Sequence, residues 1–110
     1  MQAVIVWWDL ADSAQTVQSL RLYLRDEAVD RFAQVPGLRV KFWLSDAARQ
    51  HWGAILLWES AEAAAVPLAP RAAELIGYPP TSVSAFAVEA TVEGLFTAGA
   101  LAGRGLALEG

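Results

Sequence analysis

"PGLRVKFWLSDAARQHWGAILLWES", residues 36–60, decides how this chain folds, because it holds three of the five tryptophans and the single histidine. Pro36-Gly37 ends whatever helix precedes it. "LRVKFWLSD" then alternates, with Leu38, Val40, Phe42 and Leu44 on one side and Arg39, Lys41 and Trp43 on the other. Such a strand packs one face on helices and offers the other to solvent, ligand or partner. The first set is expected to meet the helices. "DAARQ" makes a polar turn, and "HWGAILLWE" returns as a strand apolar on both faces, hence a central one. If Trp43 pairs with Ala54, Leu56 and Trp58 join the face of Arg39, Lys41 and Trp43. That face is either aromatic packing or the wall of a site.

Outward from this hairpin, residues 3–8, "AVIVWW", form an apolar run of β-branched and aromatic residues that suits a second central strand. Trp7 and Trp8 point to opposite sides of it. Asp12 with Gln15, or Ser13 with Thr16, could start a helix. Val17, Leu20, Leu24, Ala28 and Phe32 then recur at spacings of three and four, with charged residues largely opposite. This predicts an amphipathic helix of about five turns against a sheet. Ser60 caps a second helix, interrupted by Pro67 and Pro70, and resumed by "RAAELIGY". "SVSAFAVEATVE" alternates as a last strand. The order βαββαβ is the split βαβ arrangement of an α+β, ferredoxin-like sandwich.

The chain of 110 residues supports one domain, with a core over about 2–92 and an apolar, glycine-rich arm over 93–110. Leu95, Phe96, Leu101, Leu106 and Leu108 are too apolar to leave in water, so the arm is expected to cross onto a second protomer. Hydrophobic residues make up 55 % of the chain and charged residues 18 %, against about 25 % charged in average soluble chains. A small domain short of polar surface covers the excess with a partner, which predicts a homodimer. Absence of cysteine excludes disulfides and thiolate chemistry, and one histidine without clustered carboxylates disfavours a metal. A net charge of −4 with scattered basic residues gives no phosphate-tracking surface, so nucleic acid is not expected as a partner. "MQAVIVWWDLADS" lacks the marks of a signal peptide, and no apolar run reaches the roughly 20 residues of a membrane helix. The expectation is a cytoplasmic protein without membrane partners.

The long first helix ending in "VPG", followed by "LRVKFWLSD", a short turn and "WGAILLWES", resembles the YdhR-like family of monooxygenase-type proteins. The resemblance covers roughly residues 2–92 and is sharpest at Pro36-Gly37, Lys41-Phe42-Trp43 and the tryptophan-rich return strand. It implies a dimeric α/β barrel, in which two ferredoxin-like protomers set their sheets together. It also implies a cofactor-independent monooxygenase acting on a small hydrophobic, aromatic substrate. The runner-up is a non-catalytic dimeric ligand-binding or stress-response barrel. The asparagine that serves some quinone-forming relatives is missing, because the chain contains none.

Within that frame Lys41 is expected to steady a phenolate or enolate, the alternative being a solvated or ion-paired lysine. Arg39 is a substrate-binding candidate that would share the steadying of the anion with Lys41, the alternative being a rim or interface ion pair. Trp43, Trp58 and Leu56 would line an aromatic slot, or else pack a dimer interface. His51 is the one neutral-pH proton acceptor and the obvious base, although a lone histidine beside a polar turn is usually just solvated. Glu59 and Glu89, read as strand residues, are alternative bases. No metal or cofactor is expected. No Ser-His-acid set or glycine-rich phosphate loop supports a hydrolase or nucleotide-binding protein.

Overall fold

The computed structural model describes residues 1–96 and 101–109. Four strands form one antiparallel sheet in the order β2-β3-β1-β4: β1 Gln2–Asp9, β2 Leu38–Asp46, β3 His51–Trp58 and β4 Ser82–Ala87. The two apolar runs are its central strands, as their composition requires. The helices are α1 Val17–Tyr23, α2 Val29–Phe32, α3 Ala61–Ala65, α4 Arg71–Ile76 and α5 Leu106–Glu109. This mixed α+β architecture is compatible with the expected ferredoxin-like fold. No helix among the described residues is long and apolar enough to cross a membrane.

The first helix is capped by Thr16, further along the chain than either expected cap, Asp12 or Ser13. Thr16 accepts from the Ser19 amide at 3.1 Å, and Ser19 Oγ accepts from the Thr16 amide at 2.8 Å, a reciprocal capping box. α1 runs into α2 through a π-helical turn, Leu24–Ala28, closed by the Val29 amide on the Leu24 carbonyl. Val17, Leu20, Leu24 and Ala28 are buried, so the apolar stripe read from the sequence is the stripe that packs. Fully burying a side chain such as Leu20 contributes roughly 1.5–3 kcal/mol.

Helices cover the sheet face built from Val4, Val6, Trp8, Trp52, Ala54, Leu56 and Trp58. Lys41 and Trp43 belong to this face too, because they pair with Leu56 and Ala54. The Trp43–Ala54 register is therefore the one considered from sequence, but the expected assignment of faces is reversed. The helices pack on the Ala54, Leu56 and Trp58 face that this register gives Lys41 and Trp43, and a β-bulge between Leu38 and Val40 brings Leu38 onto that face while leaving Arg39 out of the ladder. Leu38 packs with Ala54, Leu56 and Trp58 under the helices, whereas Val40, Phe42 and Leu44 fall on the opposite face. That opposite face also carries Ile5, Trp7, Ile55 and Leu57, all half-buried.

At two described glycines an added Cβ would collide with its neighbours. Gly37 sits at φ 80°, and a Cβ there would lie 2.5 Å from the Ala63 methyl carbon. Gly53, in central strand β3, lies under the Trp7 ring with the Val6 carbonyl beside it.

Toward the C-terminus the outcome departs from expectation. The last strand stops at Ala87, not near Glu93, and Glu89 is exposed coil. Residues 101–109 return to the helices of their own chain: Ala107 is buried in the main core, and its carbonyl accepts from Arg25 Nε at 3.0 Å. Leu95 and Phe96 are exposed, and residues 97–100 of the expected arm lie outside the described residues.

Candidate functional site

Pairing with Leu56 on β3 turns Lys41 inward beneath the end of the first helix. Its Nζ lies 3.3 Å from the Phe32 ring centroid and 4.6 Å from the Trp43 ring. Phe32 and Trp43 meet edge to face, centroids 5.6 Å apart at 81°, and so form a two-walled aromatic box around the amine. Phe32 closes α2, while Trp43 is fixed on β2 opposite Ala54, a residue small enough to leave space beside the indole.

A cavity of about 270 Å³ opens from this box between sheet and helices. Trp8, Trp52 and Leu56 form its floor, Tyr23 and Phe32 its wall, and the 68–73 segment its far side. The size suits a one- or two-ring ligand and lies just below the ordinary range of small-molecule sites. A larger groove of about 750 Å³ wraps the outer edge of β2 beneath residues 101–108. Lys41 borders both, but its Nζ points at Phe32, which lines only the inner cavity.

The electrostatics of the box are one-sided. Burial, reinforced by the nearby Arg31 guanidinium, lowers the Lys41 pKa from its usual value to about 7. The ring faces of Phe32 and Trp43 favour the charged form and offset part of that cost. No carboxylate pairs with Lys41 among the described residues, and Glu27 accepts from Arg71 Nε at 2.9 Å and lies 3.9 Å from Arg31. Arg31 also donates to Tyr23 Oη at 2.9 Å, which orients the phenol along the cavity wall. Burial raises the Tyr23 pKa, so this hydroxyl stays protonated at neutral pH.

The remaining sequence candidates do not assemble here as a set. Trp43 and Leu56 line the inner cavity with Lys41. Trp58 is buried with Ala54 and Leu56 against Leu38, Val35 and Ala63, a packing role without access to the cavity. Arg39, thrown out by the bulge, donates to Glu59 at 2.8 Å across an exposed rim, which agrees with the ion-pair expectation. Glu59 follows β3 rather than lying in it, and neither it nor Glu89 is a buried base. His51 is on the face opposite Lys41, with Nε2 3.8 Å from the Asp9 carboxylate. It is therefore no partner of Lys41. No cluster of metal-ligating side chains occurs among the described residues.

The chain matches no protein-family model and no curated protein. Its site must be judged on its own chemistry.

Phe32, Tyr23, Trp8 and Trp52 escaped the sequence reading as cavity residues because each also serves the core stripe. One signal was present: Phe32 ends a helix at the "VPG" stop, where a large ring is free to lean over the next strand. Sequence did not show which sheet face the helices cover, and that face is what brings Lys41 beneath it.

Proposed function

We propose that this protein is a cofactor-independent monooxygenase of small aromatic substrates, working as a homodimeric α/β barrel. The observation that carries the reading is the Lys41 amine held between Phe32 and Trp43 beside a largely apolar cavity, with the Tyr23 hydroxyl and Arg31 on its wall. An amine with a pKa of about 7 can take the proton of a phenol and then, as ammonium, steady the anion it has made. The resulting carbanion-like ring carbon is electron-rich enough to react with oxygen directly. A substrate hydroperoxide forms, and loss of water leaves a ketone or quinone. Oxygen supplies one atom to product and one to water, and the substrate supplies all four electrons. Lys41 thus replaces His51 as base, and Trp43, Leu56, Trp8 and Trp52 hold the ring. A purely passive binder has less support, since a neutral apolar cavity needs no buried amine.

Binding of 1-naphthol, read by quenching of tryptophan emission, together with oxygen uptake on hydroxylated naphthalenes and anthrones, tests this. Lys41→Met should reduce both at least tenfold, whereas Arg39→Ala should leave them unchanged. Naphthol binding without oxygen uptake would leave a ligand-binding protein. Failure of naphthol to bind at all would sink the site.

The opposite sheet face supports the dimer. Ile5, Trp7, Val40, Leu44, Ile55 and Leu57 are half-buried there, and Phe42 is 43 % exposed. Apolar surface of this extent calls for a cover, and a second copy of the same face is self-complementary. Light scattering at micromolar concentration should give twice the chain mass of 11.8 kDa. A well-folded monomer would remove the barrel from the proposal.

A further inference from the structure

Lys41 is the only lysine of the chain; the other seven basic residues are all arginines. Among these cations, therefore, the one that can give up its proton in water is the one enclosed beside a cavity. Arginine would supply charge equally well and would stack better on Phe32 and Trp43. What lysine alone adds is a primary amine with a usable lone pair. The surroundings favour that lone pair. The amine lies in an aromatic box, Glu27 is committed to Arg71 and Arg31, and the Arg31 guanidinium faces the same cavity.

We infer that Lys41 is a carbonyl-capturing nucleophile, forming an imine with hydrophobic aldehydes or ketones that enter the cavity between Phe32, Trp43 and Tyr23. The inference rests on the same cavity as the proposed function but assigns it a second substrate class. Nitrogen attacks the carbonyl carbon, and the carbonyl electron pair moves to oxygen. Proton transfer from nitrogen to oxygen gives a carbinolamine. The hydroxyl then leaves as water after taking up a proton, and nitrogen releases its remaining proton to solvent. Amine and carbonyl become imine and one water, with no change in oxidation state. Burial supports both halves of this step. It leaves a large part of the amine unprotonated near neutrality, and the neutral imine removes a charge from an apolar site. Trp8, Trp52 and Leu56 on the floor limit the water that would hydrolyse it.

The test is reductive trapping of the intact protein with 2-naphthaldehyde and cyanoborohydride, followed by intact mass and peptide mapping. One naphthylmethyl group should appear on Lys41, saturably, at least tenfold faster than on the Met1 amine, the only other primary amine. Its rate should rise through about pH 7 as the amine loses its proton. Excess 1-naphthol should suppress it, and glyoxylate, small but charged, should label Lys41 at least tenfold less. Lys41→Met should retain only the Met1 adduct. If 1-naphthol binds yet Lys41 is labelled no faster than Met1, the imine is refuted and the binding site stands. If naphthol does not bind and Lys41 is not labelled, both are refuted. Labelling of Lys41 that glyoxylate matches and naphthol does not suppress refutes the cavity's role.

Discussion

Lys41→Met should be more stable than the parent protein at pH 6, and that advantage should disappear as the pH is raised to about 10.5. Below pH 7 the lysine is protonated in both folded and unfolded chains, so the full cost of burying the ammonium is present. Between about 7 and 10.5 the unfolded chain binds the proton and the folded chain does not. Parental stability therefore rises with pH across that window, at up to about 1.4 kcal/mol per pH unit. Partial exposure of the amine and its attraction to two rings reduce the total to a few kcal/mol. Methionine keeps the length and apolar stem, so packing against Phe32 and Trp43 is largely retained. Urea denaturation of both proteins at pH 6, 8 and 10 measures the effect. Parallel pH dependences for the two would show that Lys41 is solvated and the aromatic box is not a low-dielectric site.

The second large effect is expected at Gly53. A methyl group there would lie 2.4 Å from the Val6 carbonyl oxygen and 2.7 Å from the Trp7 ring. The carbonyl belongs to the ladder between the two central strands and cannot retreat without breaking it. Gly53→Ala should therefore cost about 3–5 kcal/mol, beyond the ordinary overpacking range. Trp7→Ala in the same background removes the ring clash but not the backbone one, so it should recover only part of the loss. Urea midpoints read by circular dichroism follow both. Wild-type stability of Gly53→Ala would contradict the close approach of β1 and β3 at this point.

Much of the fold was legible because it depends on composition over several residues. "AVIVWW" and "HWGAILLW" are central strands since no face of either could stand in water, and Val17 to Phe32 pack as one stripe for the same reason. What was not legible turns on single positions. The bulge at Arg39 changes which neighbours face each other, and nothing in "GLRVK" announces it. Alternation also misled because both faces of the sheet are apolar, so polarity did not tell inside from outside. Lys41 was singled out for its chemistry and Trp43 for its ring, and the structure brings the two together. Phe32 and Tyr23 complete the box only because the first helix stops directly above β2. His51 was chosen for its intrinsic pKa, and it lies on the sheet face opposite Lys41.

The strand order has a consequence for synthesis. β1 is made first, yet its two neighbours are β3, beginning at His51, and β4, ending at Ala87. At about 5–20 residues per second, translation leaves Val4 to Trp8 unpaired on one side for roughly 2–9 s and on the other for about 4–16 s. During that interval the uncharged, proline-free hexapeptide of residues 3–8, rich in β-branched and aromatic side chains, has only the first helix to lie against. "AVIVWW" is therefore the segment on which a ribosome-associated chaperone would act, and slowing translation between β1 and β4 would lower the yield of folded protein.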